Sequence, residues 1–497
     1  MTRREFLQRM GLGVGAACVL GAKAAAAEAR LKGSTPNIVL IMPDDISFGA
    51  IGAYGGKKSP HVDALYKKGL RFEDFHVSPT CSPTRAALLT GRHECYAGVT
   101  HTIVMRDRLS LKSRTIADML KASGYATGIF GKWHLGDGQA YRPDKRGFDE
   151  VYIHGAGGIG QNYSHSADFP NNDYNNPVLY HNGKVIETKG YCTDLFFDQA
   201  VRWIRTQKEG GKPFFAYITP NVNHGPHIPP ILPDGSTGDI MANLDDNVGK
   251  MMTFLDTSGL SDKTLLIYMT DNGSGSGSKR LRGGKGSAYE GGTRVPCIMY
   301  WKGKVGGGVD CHRLTGHMDL YPTFAELAGS KDPVPGDKPW DGRSILGLMQ
   351  NPKADWPGRY WISHKTRWGN ARSSKYAMAA IRNPRYKLVF PGGRKQPELY
   401  DLDQDVRETK NIAAAHPEIV KTLQAQYDAW WEDIQPFLVN DNLKGAPKTH
   451  KPYHDLYREQ LGQQRFDEAM RRMTWTGGKP YRRKKTRTPR AKRKTKT

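Results

Sequence analysis

Four stretches of uninterrupted apolar residues set the framework of this chain. The first is Asn37-Ile38-Val39-Leu40-Ile41-Met42, which stops at Pro43-Asp44-Asp45. The second, Ala126-Thr127-Gly128-Ile129-Phe130, stops at Gly131-Lys132-Trp133-His134. The third, Pro213 to Ile218, runs into a loop holding His224 and His227, and the fourth, Leu265 to Thr270, stops at Asp271-Asn272-Gly273. Runs without polar alternation predict strands covered on both faces, as in a parallel sheet. Helical spacing lies between them, over Thr115–Ser123, Thr193–Gln207 and Leu244–Leu255. Helix alternating with buried strand predicts an α/β fold, a large mixed, mostly parallel sheet flanked by helices.

Each strand delivers charged, amide or imidazole groups just past its C-terminal end. In open α/β sheets that edge is where ligands bind. Beyond Gly329 the pattern changes. Tyr376–Ile381, Tyr386–Phe390 and Glu398–Leu402 read as short strands, the first two joined at Asn383-Pro384, and Pro417–Trp431 reads as an amphipathic helix. This predicts a small C-terminal antiparallel sheet with a packed helix. The expected layout is an export signal over 1–27, an α/β domain over 34–350, the antiparallel subdomain over 351–437 and a polar extension with a basic, disordered tail over 438–497. No internal repeat is found, and past Phe437 little periodicity.

Charge and composition add three points. With 38% hydrophobic residues in 497, a sizeable core is available, while 56 Gly and 30 Pro imply many loops. The six cysteines are scattered and lack metal-type spacing, so a disulfide framework is not expected. The net charge is +24, and Lys479 to Thr497 carries 11 Lys/Arg without an acid. Such a tail favours polyanions. It lacks aromatic interleaving and any DNA-reading motif, which argues against specific nucleic-acid binding. At the other end, Arg3-Arg4-Glu5-Phe6-Leu7, a weakly apolar stretch from Met10 to Ala22 and the small residues Ala24–Ala27 look like a twin-arginine export signal. The apolar stretch is shorter than the roughly 20 residues of a membrane span. A periplasmic or secreted bacterial protein is expected.

Asp44, Asp45, Asp271 and Asn272 offer hard oxygen ligands from two strand ends, which suits Ca²⁺ or Mg²⁺, with Ca²⁺ preferred for its tolerance of irregular geometry. Cys81, in Cys81-Ser82-Pro83-Thr84-Arg85, precedes the helix-like run Ala86–Leu89. From spacing alone it fits a thiol nucleophile, a metal ligand or an inert core residue.

That C-x-P-x-R element, followed by Thr90-Gly91-Arg92, resembles the maturation signature of the sulfatases. Gly131-Lys132-Trp133-His134-Leu135-Gly136, Lys285 with Glu290-Gly291-Gly292-Thr293-Arg294-Val295-Pro296, Asp319-Leu320-Tyr321-Pro322-Thr323 and Leu399-Tyr400-Asp401-Leu402 are similar to later landmarks of that family. The resemblance covers roughly residues 36–415 and implies an alkaline-phosphatase-like fold. It implies that a formylglycine-generating enzyme oxidises Cys81 to formylglycine. One hydroxyl of the hydrated aldehyde attacks sulfur and the alcohol leaves; the other loses a proton, sulfate departs and the aldehyde returns. One Ca²⁺ would be held by Asp44, Asp45, Asp271 and Asn272 and would touch the group derived from Cys81. Arg85 and Lys132 would hold the hydrate, His134 would take its proton, and Lys285 and His224 would bind sulfate, with His224 protonating the leaving oxygen.

The third loop departs from the family's P-H-x-P. Here Asn223-His224-Gly225-Pro226-His227-Ile228-Pro229 offers two imidazoles, of which His224 is favoured by its distance from the strand end. Exported sulfatases mostly act on sulfated carbohydrates, the expected substrate class. The Gly157–Asn176 loop, His101 and Arg106 are candidates to line a sugar site. The alternatives are a phosphate or phosphonate ester hydrolase of the same superfamily and a non-catalytic polyanion-binding protein.

Overall fold

The computed structural model describes residues 31–473 apart from 104, 164, 332–339, 368–373, 394 and 439–450. The expected export signal and the basic tail lie outside the described residues. The four apolar runs form Asn37–Ile41, Ala126–Lys132, Phe214–Thr219 and Thr264–Met269. With Glu150–His154 they make five parallel strands, ordered Thr264–Met269, Asn37–Ile41, Phe214–Thr219, Ala126–Lys132, Glu150–His154. Five more described strands extend the sheet to ten, all through antiparallel pairings except Val309–Cys311, which runs parallel to its neighbour Leu70–Phe72. Val178–His181 and Lys184–Glu187 lie on one flank, and Cys297–Tyr300, Leu70–Phe72 and Val309–Cys311 on the other.

The uninterrupted runs are explained by cover on both faces. Ile38 and Leu40 enter one core with Ile116, Leu120, Leu320 and Phe324 from helices Ile116–Ala122 and Leu320–Leu327. Val39 and Ile41 enter the opposite core with Val62, Phe196, Ala200 and Val248 from helices Pro60–Lys68, Cys192–Glu209 and Ile240–Thr257. The last of these begins before the expected Leu244. Asp239 caps it by accepting from the backbone N–H groups of Met241 and Ala242, a polar start that apolar periodicity does not register.

The small sheet has four antiparallel strands, Trp361–His364, Ala379–Arg382, Tyr386–Phe390 and Glu398–Asp401. The first was not expected from the pattern. Helix Pro417–Ile434 packs Leu423, Tyr427 and Trp431 on one face, and the other face, through Ala380, Val389 and Tyr400, meets Ala288 and Tyr289 of the large domain. Past Phe437 the structure holds two helices where sequence periodicity was weak, Pro452–Leu461 and Gln463–Arg472. Tyr453 and Tyr457, four apart, enter the main core, and Arg142 lies 5.2 Å over the Tyr453 ring. Two aromatic anchors suffice to dock an otherwise polar helix. None of the described helices is long and apolar enough to cross a membrane.

Candidate active site

The C-terminal edge of the five parallel strands gathers the polar groups. Asp44 follows Asn37–Ile41, Lys132 ends Ala126–Lys132, and Asp271 and Asn272 follow Thr264–Met269; all four are buried. Lys132 Nζ donates to Asp44 Oδ2 at 2.5 Å. Gly131, at φ 119°, has no room for a side chain, since a Cβ would lie 2.2 Å from the Thr219 carbonyl oxygen. Close strand packing thus fixes where Lys132 emerges.

Helix Cys81–Thr90 stands across these strand ends with Cys81 as its first residue. Ser82 Oγ donates to the His134 carbonyl at 2.8 Å, and Thr84 Oγ1 to the Asp271 carbonyl at 2.7 Å. Arg85 donates to Asp271 Oδ2 at 2.9 Å and to the Lys132 carbonyl at 3.0 Å. Three side chains within one helical turn therefore tie the helix to two strands and aim its N-terminus, which favours anions, into the site.

Asp45 donates its backbone N–H to Asp271 Oδ1 at 3.0 Å, while its carboxylate accepts from Asn272 Nδ2 at 2.7 Å and Lys285 Nζ at 2.7 Å. Ligand atoms of Asp44, Cys81 and Asp271 lie within 4.8 Å of one another. Asp44 Oδ1 and Asn272 Oδ1 are buried acceptors without a donor among the described residues. Buried acceptors left unpaired are costly, and a hard cation among carboxylate and amide oxygens satisfies them. The donor set fits a Ca²⁺-type ion. Burial opposes ionisation of Asp44, but Lys132, Lys285 and Arg85 outweigh it and hold its carboxyl well below the usual range. Asp271 moves the other way, through burial and the neighbouring Asp44 charge.

The two imidazoles are pinned in definite tautomers. His134 Nε2 lies 2.7 Å from the Thr102 carbonyl oxygen, so it carries the hydrogen, and buried Nδ1 is left as a free acceptor. Burial and Lys132 hold His134 well below its usual pKa, hence neutral. Gly157 lets the chain pass against this ring; a Cβ there would meet it at 2.3 Å. His224 Nδ1 lies 2.7 Å from the Gly225 carbonyl oxygen, leaving Nε2 as the exchangeable position. Burial, then Lys285, bring His224 down to about 4. His227 is exposed and lies 3.2 Å from Asn223 Oδ1.

These groups open onto a cleft of about 390 Å³ lined by Cys81, His101, His134, His224, Lys285 and Arg367, among others. His224 lines it and His227 does not. Three larger depressions, of about 560, 500 and 430 Å³, lie beside helix Pro417–Ile434, at the opposite sheet edge near Asn37 and Lys263, and beside Glu326 and Arg343. None holds a cluster of this kind. Of the sugar-site candidates, His101 reaches the cleft, and from the Gly157–Asn176 loop so do Gln161 and Tyr163, whereas Arg106 folds onto Thr100.

Sequence reasoning missed His154 and Asn221. His154 ends strand Glu150–His154, at the same edge, and has Lys132, Asp44 and Asn221 as neighbours. The run Val151-Tyr152-Ile153 before it was the available signal. Asn221 donates to Tyr174 at 3.1 Å. Arg367 was also missed; it reaches the cleft from the C-terminal subdomain, far along the sequence.

A mostly parallel sheet presenting a carboxylate cluster and a helix-borne nucleophile position at one edge defines a hydrolase of the alkaline-phosphatase-like superfamily. The chain belongs to the sulfatase family and is a sulfuric ester hydrolase: residues 36–330 match the Sulfatase model. Residues 284–432 match the model described as N-sulphoglucosamine sulphohydrolase, C-terminal. Among its relatives, human arylsulfatase A is 32% identical over 468 residues, spanning 79% of this chain and 88% of that protein. The N-acetylgalactosamine-6-O-sulfatase of Bacteroides thetaiotaomicron is 30% identical over 482 residues, spanning 78% and 91%. The crystal structure of Ps i-CgsB in complex with k-i-k-neocarrahexaose superposes with a TM-score of 0.69 at 28% identity, covering 88% of this chain and 99% of that one.

Proposed function

We propose that this chain is an exported, formylglycine- and Ca²⁺-dependent sulfatase acting on sulfated carbohydrates. The observation that carries the reading is Cys81 at a buried helix N-terminus, within 4.8 Å of Asp44 and Asp271, facing a cleft lined by Lys285 and the imidazoles of His101, His134 and His224. Asp44, Asp45, Asp271, Asn272 and the group derived from Cys81 would hold the ion. Bound there, it supplies charge neutralisation and polarises a sulfate oxygen. Cys81 Sγ stands where the formylglycine oxygens would be, and that hydrated aldehyde supplies the nucleophile.

The remaining work falls to the chain. Asp44, Asp45 and Asp271 face Arg85, Lys132 and Lys285, three acids against three cations, so a divalent ion leaves a surplus of positive charge for an anionic ester. Lys285 binds a sulfate oxygen. Arg85 and Lys132 hold the nucleophile and favour its ionised form. His134, neutral with Nδ1 free, accepts a proton. His224 receives its proton at Nε2, which a bound anion favours, and passes it to the leaving alcohol.

The carbohydrate reading is supported by the names of the N-acetylgalactosamine-6-sulfatase relatives and by the oligosaccharide bound in the Ps i-CgsB structure. Export rests on the twin-arginine segment, with a periplasmic or secreted product. Because that route carries folded proteins, maturation by a formylglycine-generating enzyme precedes export. The basic tail contacts the polyanion.

Two measurements on protein from its own host test this. Aryl sulfate should turn over far faster than aryl phosphate, and the Cys81 peptide should show the mass of the aldehyde in place of the thiol. An unmodified thiol without sulfate-ester turnover overturns the reading; a preference for phosphate moves the chain to the phosphate or phosphonate hydrolases. The phosphonate monoester hydrolase of Agrobacterium radiobacter, at 19% identity and a TM-score of 0.56, shares the fold alone.

A further inference from the structure

Among the described residues, the cleft is lined by two cations, Lys285 and Arg367, and by no carboxylate. Their situations differ. Lys285 Nζ is engaged by Asp45 and belongs to the sulfate pole. Arg367 is exposed, and its guanidinium has no hydrogen-bond or ion-pair partner among the described residues. The buried arginines Arg85, Arg359 and Arg382, by contrast, are committed, to Asp271, Asp319 and Asp74 respectively.

Arg367 is nonetheless held in place. It follows strand Trp361–His364 of the small sheet, and its backbone N–H donates to the Thr100 carbonyl at 2.9 Å. Thr366 N–H donates to His364 Nδ1 at 2.8 Å. Thr366 and Arg367 both have positive φ, 55° and 44°, a conformation uncommon outside glycine. The C-terminal subdomain is thereby clamped onto the 100–103 wall of the cleft. On that wall His101 Nδ1 accepts from the N–H groups of Thr102 and Ile103 at 2.8 and 3.2 Å, so its hydrogen sits on Nε2. Burial first, then Arg367 and Arg106, bring His101 down to about 3, which makes it a neutral donor beside the guanidinium.

We propose that Arg367 is a specificity-determining residue that binds a second anionic group of the substrate, a sulfate or a carboxylate, next to the sugar whose ester is cleaved at Cys81. This rests on the sulfatase reading and deepens it: the substrate is a polyanionic glycan with a second acidic substituent near the scissile one. A planar guanidinium free on one side matches either oxyanion in bidentate fashion.

The test compares full-length matured protein with its Arg367→Gln and Arg367→Lys variants on three esters: a singly charged aryl sulfate, a disulfated disaccharide and a monosulfated disaccharide bearing a uronate. Arg367→Gln should lower kcat/KM on at least one dianionic sugar by about tenfold more than on the aryl sulfate, mainly through KM. Arg367→Lys should recover part of the loss. A loss on the disulfated sugar alone identifies a sulfate; a loss on the uronate sugar alone identifies a carboxylate. Equal losses on all three esters, or none, overturn the proposal. Calorimetric binding of the two sugars to Cys81→Ala protein, with and without Arg367→Gln, decides the role of Arg367 independently of turnover. Affinity unchanged by Arg367→Gln overturns it. Absence of aryl sulfate turnover by matured wild-type protein instead counts against the sulfatase reading.

Discussion

Glu94 shows what the site asks of single residues. It is buried, four residues past the helix that carries Cys81. Its Oε2 accepts from Ser78 Oγ at 2.9 Å, and its Oε1 has no partner among the described residues. Ser78 in turn accepts Thr84 Oγ1 at its carbonyl, 3.0 Å away, so the carboxyl braces the turn that leads into Cys81. Burial pushes Glu94 from 4.5 up to about 7, against the Ser78 and backbone hydrogen bonds that lower it. The sign follows from linkage. The folded state keeps a proton that the unfolded state has released, so this favourable contribution is full below about pH 4.5 and is lost as pH rises through 7. Ionising the buried group by pH 8 costs on the order of 3 kcal/mol. Glu94→Gln keeps the shape and removes the charge. It should therefore gain stability over wild type at pH 8 by about 1–3 kcal/mol, with the gain vanishing near pH 5. Urea unfolding at both pH values measures this; a difference independent of pH would refute it. Burial acts on His134 as well, holding its imidazole neutral.

At the level of elements, the small sheet is joined to the catalytic sheet by buried charge. Lys387, on strand Tyr386–Phe390, donates to Glu290 Oε1 at 2.8 Å and lies 3.0 Å from Glu408. Glu408 Oε2 accepts the Glu290 backbone N–H at 2.7 Å, and Arg382 grips both oxygens of Asp74 at 2.9 and 3.0 Å. Glu290 starts the helical turn that follows the Lys285 loop. Removing one partner of a buried pair is far worse than never having had the pair. Lys387→Met should thus destabilise by about 3–5 kcal/mol, read as a lowered urea midpoint, whereas an unchanged midpoint would show that the subdomain docks through its apolar face alone. Elements with strong periodicity were legible in the sequence: the four buried strands, their helices and helix Pro417–Ile434. Asp44, Lys132, His134 and Asp271 were legible because each lies at the C-terminal end of such a strand or a few residues past it. Strand Trp361–His364, helix Pro452–Leu461 and the contribution of Arg367 were not. Their places depend on contacts across hundreds of residues, as with Tyr453 on Phe169 at 5.0 Å, and local pattern carries no trace of such partners.

For the whole molecule, the decisive fact is that one small volume draws on segments from residue 44 to residue 285. Ile41 pairs with Ile218 and Tyr268 in register, and Lys132 follows Gly131, which pairs with Thr219, so sheet twist and register alone bring these ends together. Three of these ends arrive with a charge, at Asp44, Lys132 and Asp271, and the acids Asp44 and Asp271 are buried side by side. Without a divalent ion, Asp271 relieves the repulsion by favouring its protonated form; with one, both carboxylates stay ionised and the unpartnered oxygens of Asp44 and Asn272 gain a partner. Because the ligands belong to separate strands, loss of the ion should be felt as global stability as well as lost turnover. Binding at a hundredfold excess over Kd contributes about 2.7 kcal/mol, which corresponds to a Tm shift of several degrees in a chain of this size. Chelation should therefore lower Tm by about that amount and abolish aryl sulfate hydrolysis, and added Ca²⁺ should restore both. Asp271→Asn should remove the response of Tm to Ca²⁺. A Tm that ignores the chelator in protein shown to be metal-free by elemental analysis would mean that the acids are balanced by Arg85, Lys132 and Lys285 alone.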